Sequence, residues 1–144
     1  GTYKLVRKGD SPWLQQAADT ILVQVKGNTN LDVPVMPYFT ISDPSFQKND
    51  KGITANFTVN KIVNTANLEF VRLYLGKSIL TDQGQNELRV DVNLSLISFG
   101  QPVSMLATLP DNLKNLDYVF ARMGVKSTVS NEYYYTQIQK IALK

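Results

Sequence analysis

In the stretch Tyr118-Val-Phe-Ala-Arg-Met-Gly-Val-Lys126, Val119, Ala121, Met123 and Val125 alternate with Tyr118, Phe120, Arg122, Gly124 and Lys126. A period of two with one apolar face predicts a strand, because successive side chains of an extended chain point to opposite sides. The second face carries aromatic rings and charge and is expected to meet solvent or a neighbouring layer.

The sequence on either side repeats this pattern. Ile53, Ala55, Phe57 and Val59 alternate with Thr54, Asn56, Thr58 and Asn60, the cleanest half-buried strand in the chain. Val71, Leu73 and Leu75 alternate with Phe70, Arg72 and Tyr74. Phe39 and Ile41 begin a strand expected to end at Asp43-Pro44, and residues 76–86 are rich in turn formers. Residues 88–96 alternate throughout, which predicts a long strand stopped by Gly100 and Pro102, with another apolar run from Val103 to Leu109. Asp111 is placed as the cap of one helical turn carrying Leu113 and Leu116. From Tyr133 to Leu143 a last strand is expected, with a phase slip between Ile138 and Ile141 that suggests a bulge. Seven strands with turns about every ten residues predict an all-β, immunoglobulin- or fibronectin type III-like sandwich.

Before it, residues 2–7 are β-prone, and Gly9, Asp10 and Pro12 break them. Residues 19–26 and 31–36, separated by Gly27-Asn-Thr-Asn30, predict a hairpin, with Pro34 confining the second strand to an edge. A domain boundary is expected near Pro37. The leading residues Gly1-Thr-Tyr-Lys-Leu5 carry no signal-peptide pattern and read as the interior of a strand, so a preceding segment is expected.

A chain of 144 residues with 43% apolar and 19% charged residues is globular in composition, sized for one domain and part of a second. Fifteen Lys and Arg against 12 Asp and Glu leave +3. Those cations are scattered, with one loose group at Lys4, Arg7 and Lys8, so no nucleic-acid partner is expected. The chain has no Cys and no His, which removes disulfides, thiolate chemistry and the commonest acid–base side chain. No apolar run approaches the ~18 residues of a membrane-spanning helix.

Five segments together resemble one family. They are Val-Pro-Val-Met-Pro-Tyr (33–38), Gly-Ile-Thr-Ala (52–55), Val-Arg-Leu-Tyr-Leu (71–75), Phe-Ala-Arg-Met-Gly-Val-Lys (120–126) and Tyr-Tyr-Tyr-Thr-Gln-Ile-Gln-Lys-Ile (133–141). They are similar to the domain-of-unknown-function 3823 family of Bacteroidetes surface lipoproteins, over nearly the whole chain. The resemblance implies two domains. Residues 1–36 would be the last strands of a carboxypeptidase-regulatory-like β domain, and residues 37–144 a fibronectin type III-like sandwich. It further implies a monomeric, non-catalytic accessory protein at the cell surface, encoded beside the outer-membrane transporter complex of a polysaccharide-utilisation system. Its lipid anchor would lie upstream of this chain. The expected partners are a polysaccharide and proteins of that complex. The alternatives are a structural spacer and a protein-interaction module that uses a free sheet edge.

No catalytic, cofactor or metal residues are expected. Asp111 and Asp117 flank the helical turn, and Glu69 and Asp91 lie on polar strand faces, without a paired-carboxylate arrangement. The segment Asp82-Gln-Gly-Gln-Asn-Glu87 places oxygens as a calcium loop does but lacks its further carboxylates, so a turn is expected. Asn56 and Asn93 head N-x-Ser/Thr sequons inside expected strands, and Asp19-Thr-Ile21 resembles a Bacteroidetes O-glycosylation triplet. Sugar rings stack on flat aromatics flanked by amides and carboxylates. The candidates for such a ligand platform are Trp13, Tyr38, Tyr74, Tyr133 and Tyr135. Alternation sends Tyr134 to one face and its two neighbours to the other, and cross-strand pairing among tyrosines is the plainer use of the same residues.

Overall fold

The computed structural model describes residues 1–15 and 20–144. Asp19, with which an expected strand and the glycosylation triplet both begin, lies outside the described residues, as do residues 16–18 of the polar stretch after Trp13. Ten strands in three antiparallel sheets are described: β1 (Thr2–Val6), β2 (Thr20–Gln24), β3 (Phe39–Asn49), β4 (Gly52–Lys61), β5 (Leu68–Gly76), β6 (Leu88–Asp91), β7 (Pro102–Ala107), β8 (Tyr118–Ser127), β9 (Tyr134–Tyr135) and β10 (Gln139–Ala142).

β3, β4 and β7 form one layer in the order β3-β4-β7. The other runs β10-β8-β5-β6, with β9 pairing the far half of the β8 edge that β10 also uses. Counting β9 and β10 as one interrupted edge strand, the two layers hold the expected seven strands, in the three-on-four arrangement of a fibronectin type III-like sandwich. The interruption spans residues 136–138, just before the slip expected between Ile138 and Ile141.

The inner faces supply the core. Ile53, Ala55, Phe57 and Val59 of β4 meet Val71, Leu73 and Leu75 of β5 and Val119, Ala121, Met123 and Val125 of β8, all 2% exposed or less. Removing each large side chain from water stabilises the fold by about 1.5–3 kcal/mol before entropy is counted. β8 lies between β5 and the β9–β10 edge, so it holds the four-stranded layer together.

Four expectations are corrected. The strand from Phe39 does not end at Asp43-Pro44 but continues to Asn49 through a bulge between Ser42 and Ser45, with Asp43 at φ 52°. β3 pairs only with β4, and a bulge on such an edge strand tolerates the missing N–H of Pro44. Residues 31–36 form no strand with residues 20–24. β1 takes that place, pairing Thr2 with Gln24 through Val6 with Thr20, and Leu31, Val35 and Met36 are exposed. Residues 88–96 form only the four-residue β6. Asn93, whose side-chain oxygen accepts from the Ser95 amide, opens a 3-10 turn at Leu94–Leu96, so its sequon lies outside a strand. The helical turn α1 (Asp111–Lys114) is capped by Pro110, with no side-chain cap bond, and Asp111 is instead its first residue, ion-paired with Lys114. Leu113 is buried as the spacing predicts.

The β1–β2 sheet stands outside both layers. It joins them through a Trp13–Pro37 bridge, the Leu14 amide donating to Met36 (2.7 Å) and the Tyr38 amide donating to Pro12 (3.1 Å). The Asp10 carboxylate accepts from the Asn131 backbone amide (2.9 Å) and side chain (3.2 Å), bonds that hold its carboxyl below the usual range. Among the described residues, no helix is long and apolar enough to cross a membrane.

Candidate functional site: the outer face of the four-stranded layer

Alternation places Phe70, Arg72 and Tyr74 of β5 on the outer face, beside Lys126, Gly124, Arg122, Phe120 and Tyr118 of β8. β9 adds Tyr135 opposite Gly124, while Tyr134, opposite Val125, turns inward against the core. The split of the tyrosine run between two faces is therefore as read from its sequence.

Three of the five candidate aromatics come together here. Tyr133 and Tyr135 stack with centroids 5.6 Å apart and planes 13° apart. The Tyr74 ring meets Tyr135 edge-on at 6.0 Å, and Phe70 lies 5.4 Å from Tyr133. Gly124 makes room for them, since a Cβ there would stand 2.9 Å from Tyr74 Cε2 and 3.1 Å from Tyr135 Cε1. Cations cover the rings. Arg72 Cζ sits 3.5 Å from the Phe70 centroid and Arg122 Cζ 5.4 Å from that of Tyr135, distances at which ring quadrupoles attract positive charge.

The loop of residues 77–87 closes over part of this cluster. Gln83 Oε1 accepts from the Tyr74 hydroxyl (2.8 Å) and Arg72 Nη1 (3.3 Å), and the Gln83 amide donates to the Tyr135 hydroxyl (3.3 Å). Asp82 Oδ1 accepts the amides of Gly84 (2.7 Å) and Gln85 (2.8 Å), so the segment is a carboxylate-capped turn. Thr81 Oγ1 packs on Gly76, where a Cβ would approach to 2.3 Å. Tyr74 is consequently 0% exposed. Burial pushes its phenol well above the ordinary value and raises that of Tyr135 less far. Tyr133 and Tyr135 are half-buried.

Trp13 and Tyr38 lie elsewhere, and no ring contact joins them to these tyrosines among the described residues. They line a small cleft of about 50 Å³ with Lys8, Asp10, Ser11 and Val129, where the N-terminal segment meets the sandwich.

Tyr118, Phe120 and Arg122 are not among the sequence candidates. They occupy successive outward positions on β8, about 7 Å apart along the strand. Tyr118 is 42% exposed, packs edge-on against Phe120 at 5.7 Å and carries Lys140 Nζ 3.9 Å from its centroid. Arg122 lines an open, shallow cleft of about 510 Å³ with Ile79, Leu80, Asp82, Gly84 and Gln85, and Tyr118 lines a separate one with Lys77, Leu116 and Asp117. The period-two pattern of residues 118–122 is the sequence signal that points to them. Among the described residues, no cluster of three or more carboxylates has the arrangement to hold a metal ion.

The fold recurs in known proteins. A DUF3823 family protein from Bacteroides ovatus superposes with TM-score 0.93 at 47% identity, covering 100% of this chain and 75% of that one. A DUF3823 family protein from Parabacteroides merdae gives 0.84 at 27% identity, over 98% and 70%. A "putative carbohydrate binding protein" from Bacteroides uniformis gives 0.68 at 19% identity, over 86% and 68%, a likeness of fold. No curated protein matched the chain. Residues 39–140 match the domain of unknown function DUF3823_C, and the chain belongs to the DUF3823 family.

Proposed function

We propose that this protein is a non-catalytic accessory protein of the bacterial cell surface that binds glycan for a polysaccharide-utilisation system. The observation that carries the proposal is the outward row Tyr118, Phe120 and Arg122, whose Arg122 end lines an open cleft that also holds Gln85 and Asp82. Aromatic rings next to a few fixed polar groups suit sugar rings, whose C–H faces stack and whose hydroxyls hydrogen-bond. The stacked Tyr133 and Tyr135 extend the same face. The fold likeness to the protein from Bacteroides uniformis agrees with this reading, as does membership of a Bacteroides-containing family.

Residues 1–36 are proposed to close a separate β domain, with 37–144 forming the sandwich. The isolation of β1–β2 from both layers supports this division. A second reading, a spacer or protein-interaction module, is favoured by the exposed apolar side chains of that strand pair, Val6 (63%) and Leu22 (67%) on one face and Tyr3 (60%) on the other.

Native affinity electrophoresis against neutral and acidic polysaccharides tests the proposal. Retardation by at least one polymer, weakened by Tyr118→Ala, is expected. Unretarded migration across the panel by protein with a native circular dichroism spectrum would overturn it and favour the second reading.

A further inference from the structure

The cations of the outer face are not equivalent. Arg72 pairs with Asp91 across the β5–β6 ladder, and Lys126 pairs with Glu69. Lys77, at the base of the loop, faces Glu87 at 3.6 Å. Arg122 has no ion pair, and its Nε is buried with no hydrogen-bond partner among the described residues. Buried polar groups in folded proteins are nearly always paired, so a buried Nε–H without an acceptor is costly, while the half-buried Arg122 guanidinium rests over the Tyr135 ring at 5.4 Å. Arg122 also lines the 510 Å³ cleft, within reach of whatever enters it. Across the sheet, Arg122 pairs in register with Tyr74, and Tyr74 with Arg89 of β6. Arg89 is exposed and has no ion pair among the described residues, so two uncompensated guanidinium groups share one row. Asp82 is the only acid among the six lining residues, and its Oδ1 already accepts two loop amides.

We infer that the Arg122 cleft is a subsite for the carboxylate of an acidic sugar, so that the ligand class is uronic acid-containing polysaccharide. The inference rests on the glycan-binding reading above and narrows it. A planar guanidinium matches a carboxylate with two parallel N–H···O bonds, a geometry that a neutral hydroxyl cannot reproduce. The aromatic row Tyr118–Phe120 then lies along the polymer next to the anchored residue, with the Gln85 amide and the apolar rim of Ile79 and Leu80 bounding the cleft.

The test uses polygalacturonate, alginate and hyaluronan, each alongside the same polymer with its carboxyl groups reduced to primary alcohols. Affinities of wild type and Arg122→Gln are measured by native affinity electrophoresis and isothermal titration calorimetry. The expected result is binding of at least one acidic polymer, weakened tenfold or more by carboxyl reduction, by Arg122→Gln, and in part by 0.5 M salt. The comparison of native with reduced polymer uses only wild-type protein, so it decides the matter even if the variant folds poorly. Equal binding of a reduced polymer, or unchanged affinity in a folded Arg122→Gln, overturns the carboxylate subsite and leaves glycan binding standing. Failure to bind any polymer, acidic or neutral, overturns both.

Discussion

Gly124 and Tyr135 face each other across the β8–β9 ladder, and the tyrosine ring occupies space that a side chain at 124 would need. The neighbouring Tyr74 ring closes on the same spot from β5, so neither ring can retreat without moving the other. Gly124→Ala is expected to destabilise the protein by about 1–3 kcal/mol, the usual cost of overpacking a well-filled site. Urea unfolding checks this, and Tyr135→Ala in the same background should recover part of the loss. Independent, additive effects would show that the two positions do not compete for space.

Gln83 ties the 77–87 loop to the sheet through Tyr74, Arg72 and Tyr135. Gln83→Ala removes the acceptor of a buried hydroxyl, which costs about 1–3 kcal/mol when nothing replaces it. Faster amide exchange confined first to residues 77–87 is the expected signature. Global destabilisation with unchanged loop protection would contradict the tie.

Alkaline pH should act through the same cluster. Burial raises the Tyr74 phenol above its ordinary value of 10.0. Above about pH 10 the unfolded chain releases this proton while the folded chain keeps it, so the folded state binds more protons and stability falls as pH rises. Below pH 10 both states are protonated, and this group adds no pH dependence. Urea midpoints measured from pH 8 to 12 should fall above pH 10, and less steeply in Tyr74→Phe. An identical slope in that variant would exclude Tyr74 as a source.

The ion pair of Lys126 with Glu69 is unevenly buried, with side chains 10% and 40% exposed. Glu69→Ala strands a largely buried ammonium against Phe70, whose ring centroid lies 5.7 Å away. A loss of about 1–3 kcal/mol is expected, below the cost for a fully buried pair because solvent reaches the carboxylate. Lys126→Met, which removes the charge and keeps the stem, should cost less than Glu69→Ala. The reverse order in thermal melts would show that the pair itself, and not the stranded charge, sets the effect.

The strands that could be read in advance are those with one wet and one dry face. Ile53 to Val59 and Val119 to Met123 alternate because each of their sheets has one inner side, and their burial follows the pattern, whereas Gly124 and Lys126 on the outer face of β8 are buried as well. Misreadings occurred where a local interaction overrides periodicity. Leu94 and Leu96 keep the alternation of Leu88 to Val92, yet the Asn93 side chain diverts the backbone into a 3-10 turn. Pro44 looks like a terminator until the bulge at Ser42–Ser45 is seen to absorb it. For the candidate site, alternation names the side of the sheet that Tyr74 takes but not what covers it. The loop that buries it is held by Gln83 and Thr81, a contact set with no periodic signature. The outward row of exposed Tyr118 and half-buried Phe120 and Arg122 is legible by the same alternation that identifies β8.

The measurement that bears most directly on the central claim is the affinity of wild type and Tyr118→Ala for the polysaccharide panel. Tyr118 is exposed and lies outside the core, so its truncation should leave the fold intact. Glycan binding on this face predicts a clear affinity for at least one polymer and a several-fold loss in the variant. Equal affinities in the two proteins would contradict the placement of the site, and no affinity in either would contradict glycan binding itself.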